Sequence, residues 1–147
     1  MQVFDDAYFM KMALDEAQKA LAKDEVPVGA VVVCNNRVIA RSHNQTEMLH
    51  DVTAHAEMLA ITAAANHLGA KYLKGCTLYV TVEPCLMCAG ALAWSQIDAI
   101  VYGADDDKKG FSRFTVEALH PSTQVRKNVM QEECSQLVTG FFRKKRK

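Results

Sequence analysis

Residues 76–91 read CTLYVTVEPCLMCAGA. The first seven are apolar, aromatic or β-branched and carry no charge, so they predict a buried strand over 76–82. Pro84 suits the first turn of a helix, and a short helix is expected to follow it and end near Trp94. A strand that runs straight into a helix is a joint of an α/β layered domain. Cys85 and Cys88 are three apart, so on that helix they share a face. The free N–H groups and dipole of a helix start favour thiolate, the form that binds metal. By itself this C-x-x-C fits metal binding, redox chemistry or coincidence.

A second stretch narrows the choice. Residues 51–57 read DVTAHAE, and the apolar run MLAITAAA follows. Thr53 is placed to cap a helix running to about Leu68. His55 then falls at a helix start, where its ring can approach the same point as the two sulfurs. Two thiolates and one imidazole make three protein ligands; a structural zinc takes four, whereas a catalytic zinc keeps one position for water. Such a water needs a nearby base. Glu57 lies two residues beyond His55, close to the metal but free of it, and its carboxylate can move the proton to substrate. Singly, His55 reads equally as a satisfied core histidine and Glu57 as an acid favoured by the helix dipole. Together, H-A-E…P-C-L-M-C matches H-x-E…P-C-x-x-C, a known signature of zinc nucleobase deaminases.

The remaining pattern completes the α/β reading. Residues 5–23 predict an amphipathic helix, capped by Asp5 or Asp6, with Phe9, Met12, Ala13, Ala17, Ala20 and Leu21 at helical spacing. VGAVVVC and RVIARSH flank Asn35-Asn36 and predict a hairpin. Residues 44–52 are a polar loop of the kind that carries binding groups. DAIVYGA (98–104) is a further strand, and DDDKKGFS (105–112) a charged loop. A helix around 114–119 and a strand near 125–130 are expected. A final helix starts near 131, with Cys134, Leu137, Val138, Phe141 and Phe142 on one face. No linker or repeat interrupts the chain, so residues 1–147 are expected to form one domain.

Composition sets the class. Half of the 147 residues are hydrophobic and 23% are charged, as in a globular chain. No apolar run reaches the ~20 residues of a membrane span. The start, MQVFDDAYFM, lacks the basic-then-apolar order of a secretory signal, and five cysteines, an odd number, suit a reducing compartment. An intracellular, cytoplasmic protein is expected. The net charge of zero hides an asymmetry: the last five residues are RKKRK, and without them 12 Lys and Arg face 17 Asp and Glu. A basic tail on an acidic body fits nucleic-acid binding or a solvated terminus.

With these motifs the sequence resembles the bacterial tRNA-specific adenosine deaminase family of the cytidine/deoxycytidylate deaminase superfamily. The resemblance runs over nearly the whole chain: EVPVGAVVV, NNRVIA, His43-Asn44, DVTAHAEM, CTLYVTVEPCLMCAGA, VYGADD and the closing FFRKKRK. The zinc motif belongs to the whole superfamily; EVPVGA, GADD and the final FF with basic residues are more particular. The resemblance implies a three-layer α/β/α fold with a central five-stranded mixed sheet. It implies a homodimer, with one zinc per subunit, that converts adenosine to inosine at the wobble position of a tRNA anticodon stem-loop. Carried over by position, His55, Cys85 and Cys88 match the zinc ligands and Glu57 the proton shuttle. The N–H of Ala56 falls where the family stabilises the substituents of the attacked carbon. Asn44 matches the asparagine that bonds the flipped base, and Val28 lines the base pocket. Asp106 and Lys108 match a loop that touches anticodon nucleotides, Asp106 as the candidate reader of a 2′-OH. Phe142 and Arg143 match a C-terminal helix that packs near RNA.

One stretch departs from the family. FSRFTVEALH (111–120) stands where better-known members carry a small-residue run, and Phe111, Arg113 and Phe114 are bulkier. Cys34, Cys76 and Cys134 read as small core residues, Trp94 and the methionines as core or dimer contacts. His67 and His120 read as exposed; His43 and His50 flank the substrate loop. A free nucleobase or nucleoside deaminase (guanine or cytidine) is the alternative within the superfamily. A non-catalytic zinc module that binds RNA is a third reading, and Glu57 argues against it, because a structural site needs no proton shuttle.

Overall fold

A computed structural model describes residues 4–115 and 117–146. Helix α1 (Asp6–Ala22) starts where Asp5 accepts a bond from the Tyr8 N–H at 2.8 Å. Strands β1 (Gly29–Cys34) and β2 (Arg37–His43) follow as an antiparallel hairpin. Its turn residues Asn35 and Asn36 have φ of 53° and 61°, the left-handed values a tight two-residue hairpin turn requires. Helix α2 (Ala56–Leu68) stops at Gly69, whose φ of 66° closes the helix in a left-handed cap. Strand β3 (Cys76–Val82), helix α3 (Leu86–Ser95), strand β4 (Ala99–Ala104), strand β5 (Gln124–Arg126) and helix α4 (Gln131–Lys145) complete the chain.

The five strands form one mixed sheet in the order β2-β1-β3-β4-β5. β1 is antiparallel to both neighbours, while β3–β4 and β4–β5 are parallel. Alternation along the strands feeds two cores. Val32, Leu78, Val80, Ile100 and Tyr102 face α2 and α3, which contribute Ala56, Ala60, Ala64, Ala89 and Leu92. Val31, Val33, Tyr79 and Val101 face the other way, onto Phe9, Met10 and Ala13 of α1 and Cys134 of α4. This is the expected three-layer α/β/α architecture, with helices covering both sheet faces. The end of the sheet that carries the start of β1 and the ends of β2, β3 and β4 is where α2, α3 and two loops converge.

Several expectations need correction. Thr53 does not cap α2; its N–H and hydroxyl both donate to Asp51, and His55 occupies the cap position without a side-chain cap bond. Among the described residues, 114–119 hold no helix: a single 3-10 turn, Phe111–Arg113, precedes them. The bonds from Ser112 to Glu83 pull this segment inward and fix its geometry before a helix can start. Strand β5 is shorter than 125–130 and begins one residue earlier. Of the two readings, core or dimer contact, core holds for Met10 and fails for Trp94, which is 85% exposed, and for the exposed Met48 and Met87. Cys76 and Cys134 are buried as expected, Cys34 only partly; His67 is exposed, whereas His120 is half-buried. Residues 1–3, Val116 of the expected 114–119 helix, and Lys147 of the basic stretch lie outside the described residues.

Candidate active site

The first candidate donor arrives on α2. His55 is the residue just before its first turn, in extended conformation. Cys85 holds the equivalent place before α3, and Cys88 lies one turn in, fully buried. Two helix starts at the same sheet end thus aim three donors at one point. His55 Nδ1 lies 3.6 Å from Cys85 Sγ and 3.5 Å from Cys88 Sγ, and the three donor atoms lie within 4.8 Å of one another. Tetrahedral zinc, with Zn–S of about 2.3 Å and Zn–N of about 2.0–2.1 Å, separates sulfur from nitrogen by about 3.5 Å. The donor set and its spacing therefore fit a metal ion of that kind. The Cys88 thiol holds Cys85 down at about 4, with burial opposing and His55 and the Cys88 N–H assisting. That pairing, together with burial, pushes Cys88 up. The bond with Cys85 raises His55 against the effect of burial.

Glu57 sits in the first turn of α2, buried, at the wall of the same cavity. Burial pushes its carboxyl up to about 7, although its own main-chain N–H pulls the other way. A carboxyl near neutrality can both take and give a proton.

The cavity has a volume of about 490 Å³ and is lined by Val28, Asn44, His55, Glu57, Cys85 and Asp106, among others. Asn44 follows β2 directly, and its Oδ1 accepts the Ala56 N–H at 2.7 Å. In this structure the Ala56 N–H is thus spent on orienting Asn44. Ser42, two residues earlier, donates to the Ala56 carbonyl at 2.7 Å and ties β2 to the same helix start. Val28 lines the cavity just before Gly29, where β1 approaches α1 so closely that a Cβ would overlap the Ala13 carbonyl and the Ala17 nitrogen.

A second cavity of about 440 Å³ adjoins the first and shares Val82, Asp106 and Lys109 with it. Lys108 and Phe142 line this second cavity, so the structure brings α4 beside the charged loop. Asp106 organises that loop: its Oδ1 accepts the N–H groups of Lys108 and Lys109 at 3.0 Å each. Arg143 is exposed on α4 and lines neither cavity. His43 is turned inward, 3.0 Å from the buried Glu16, while His50 is exposed. Of the substitutions in the unusual 111–120 run, Phe111 is buried, and Arg113 and Phe114 face solvent.

Sequence reasoning missed Glu25, Glu83 and Lys109. Lys109 was passed over for its neighbour Lys108. Of the two glutamates only Glu83, between Val82 and Pro84, interrupts an apolar run; Glu25 closes the charged triplet Lys23-Asp24-Glu25 and reads as a surface acid.

The comparisons with known proteins agree with this geometry. A family model described as MafB19-like deaminase matches residues 4–146. The tRNA-specific adenosine deaminase of Bacillus subtilis is 46% identical, covering 97% of this chain and 91% of that protein. A solved structure from a study of A-to-I editing by tRNA:A34 deaminases at the wobble position of transfer RNA superimposes with a TM-score of 0.83 at 44% identity. It covers 88% of this chain and 98% of its own. A guanine deaminase from Bacillus subtilis superimposes with a TM-score of 0.67 at 39% identity, over 69% of this chain and 65% of its own. With its fold, its His-x-Glu and Cys-x-x-Cys pair and its relatives in agreement along nearly the whole length, this chain belongs to the MafB19-like deaminase family, among the tRNA-specific adenosine deaminases.

Proposed function

We propose that this chain is a zinc-dependent hydrolase that deaminates adenosine to inosine at the wobble position of tRNA anticodons. The observation that carries the reading is the convergence of His55, Cys85 and Cys88 on one point, with Glu57 buried on the same cavity wall. His55, Cys85 and Cys88 would hold the zinc ion, one per chain. When bound, zinc supplies Lewis-acid activation of water at neutral pH. Glu57 takes one proton from the attacking water and gives it to the purine ring nitrogen, then carries the proton of the new hydroxyl to the amino group, which leaves as ammonia. Asn44, held through its Oδ1 by Ala56, keeps its amide nitrogen to donate to the flipped base. Val28 gives the base an apolar wall. A wobble base is already in a loop, so extruding it costs little compared with a duplex.

Outside the cavity the chemistry suits RNA. Asp106, with Oδ1 committed to its own loop, meets a 2′-OH through its second oxygen. Lys108 and Arg143 attract phosphate, and Phe142, 42% exposed, offers a stacking face. Arg143, Lys144 and Lys145 form the last turn of α4, so the basic stretch is ordered as helix up to Lys145. Leu86, Met87 and Trp94 leave an apolar side of α3 exposed, and a second copy of this chain is its proposed cover. Residues 1–147 act as one domain, supported by the single sheet that both core layers share. A tRNA substrate places the protein in the cytoplasm; among the described residues no helix is long and apolar enough to cross a membrane.

The guanine deaminase neighbour favours a second reading, deamination of free guanine in the same cavity, with cytidine as the other small substrate to compare. Ammonia release separates the two. Release from an anticodon stem-loop, with none from free guanine or cytidine, is expected; the reverse pattern would replace the first reading by the second.

A further inference from the structure

Two buried glutamates outside the metal cluster hold the cavity's loops: Glu83 lines the cavity itself, and Glu25 lies behind the loop that carries Thr46 into it. Glu25 is 1% exposed and Glu83 4% exposed. Glu25 Oε1 accepts the Glu47 N–H at 3.1 Å and the Thr46 hydroxyl at 3.4 Å, while Oε2 accepts the Met48 N–H at 2.8 Å. Glu83 Oε1 accepts the Asp106 N–H at 3.1 Å, and its Oε2 accepts the N–H and hydroxyl of Ser112 at 3.0 and 2.6 Å. Each side chain thus takes three donors, all from one loop. The first loop follows β2 and carries Asn44 and Thr46 into the cavity; the second follows β4 and carries Asp106 and Lys109. β1 and β3 lie between these two strands, so the loops stand on either side of the site.

The backbone is fitted to this arrangement. A Cβ on Gly110 would overlap the Glu83 carboxyl group, so only glycine lets the second loop close over it. The Phe111 N–H donates to the Pro84 carbonyl at 2.9 Å, which joins the same loop to the residue before Cys85. The Glu83 N–H donates to the Ala104 carbonyl at 2.8 Å and fixes the main chain that presents its carboxylate. On the other side the Glu25 N–H donates to the Ala20 carbonyl at 3.0 Å, which anchors it to the end of α1. A loop that is ordered only on binding spends interaction energy on its own conformational entropy. A loop held by a buried carboxylate avoids that cost.

We propose that Glu25 and Glu83 are positioning residues: each holds one loop of the cavity in its nucleic-acid-binding form before substrate arrives. This rests on the RNA reading given above and adds how the RNA-facing loops are set. Neither residue touches the metal-ligand cluster in this role; each acts through main-chain N–H groups of residues that line or flank the cavity.

The test uses zinc-loaded, full-length Glu25→Gln and Glu83→Gln, with Ser112→Ala as a milder variant that removes one hydroxyl bond. Site-resolved amide exchange and steady-state kinetics on an anticodon stem-loop are measured together. A glutamine presents an NH2 to donors that the carboxylate accepted, so protection falls by about tenfold or more at the tethered amides. For Glu25→Gln these are Glu47 and Met48; for Glu83→Gln they are Asp106 and Ser112. The opposite loop keeps its protection in each case. KM for the stem-loop rises by about tenfold with kcat within about twofold and zinc at one per chain. Ser112→Ala shifts KM in the same direction by less. Unchanged exchange at the tethered amides would overturn the proposal. So would a loss of protection spread over the whole sheet with an equal fall in kcat, the mark of a purely structural role. Should the wild-type protein leave RNA unmodified, the functional reading fails, and the exchange pattern alone decides whether the glutamates set the loops.

Discussion

Glu57 is an acid buried beside two sulfurs and an imidazole, and its carboxyl lies near 7 because burial disfavours its charged form. A carboxyl in that setting needs a task to offset its burial, and proton transfer is the one the cavity offers. Replacing it with alanine or glutamine removes the group that moves protons and none of the three metal donors. Turnover is expected to fall by roughly 10²–10⁴-fold, while metal analysis still finds one zinc per chain. Full activity in Glu57→Ala would show that another group moves the proton; loss of zinc would make Glu57 a ligand instead. The neighbouring asparagine shows how local geometry divides labour. Asn44 and Ala56 are twelve residues apart, yet the bond between them sets both the amide orientation and the start of α2.

At the scale of elements, the site depends on how closely helices approach the sheet. Helix α1 crosses β1 at Gly29, where no side chain fits between it and the helix backbone. Gly29→Ala forces two backbone segments apart, and overpacking of that kind costs about 1–3 kcal/mol. A lower midpoint in denaturant, with little change in slope, is the expected result; an unchanged midpoint would mean that α1 has room to shift. The same elements show which parts of the fold the sequence disclosed. The two core strands, the hairpin at Asn35-Asn36 and the start of α3 were legible, because hydrophobic period, turn chemistry and Pro84 each act locally. The boundary at Thr53 was not, since the Asp51 carboxylate captures that residue in a turn. The region after Phe111 was not legible either. Its conformation is decided by Glu83, twenty-nine positions before Ser112, and no local pattern carries a bond of that span. The grouping of His55, Cys85 and Cys88 was legible from spacing and motif together, whereas the bonds that Glu25 and Glu83 make to distant loops exist only in three dimensions.

Across the whole molecule, a polar network fastens one end of the sheet to α1. Arg126 of β5 donates two bonds to Asp6, at 2.8 and 3.0 Å, and the Tyr79 hydroxyl of β3 donates a third at 2.9 Å. The bond from Arg126 holds the Asp6 carboxyl below its ordinary value of 3.8, against the effect of burial. A carboxylate whose folded value is lowered stabilises the fold above its unfolded value, and that contribution disappears as pH falls through the folded value. Both partners are part-exposed, so solvent screening keeps the expected cost of Asp6→Asn to about 1 kcal/mol at neutral pH. The gap between wild type and Asp6→Asn should close as pH drops below 3.8; a gap that persists there would assign the cost to packing. The central claim concerns chemistry on RNA, and one measurement meets it directly. Zinc-loaded protein is incubated with a tRNA that has adenosine at the wobble position and further adenosines in its anticodon loop, then the RNA is reverse-transcribed and sequenced. Conversion of A to G at the wobble position, with the other adenosines unchanged, is the predicted result. An unaltered wobble adenosine after incubation with fully zinc-loaded protein would contradict the account.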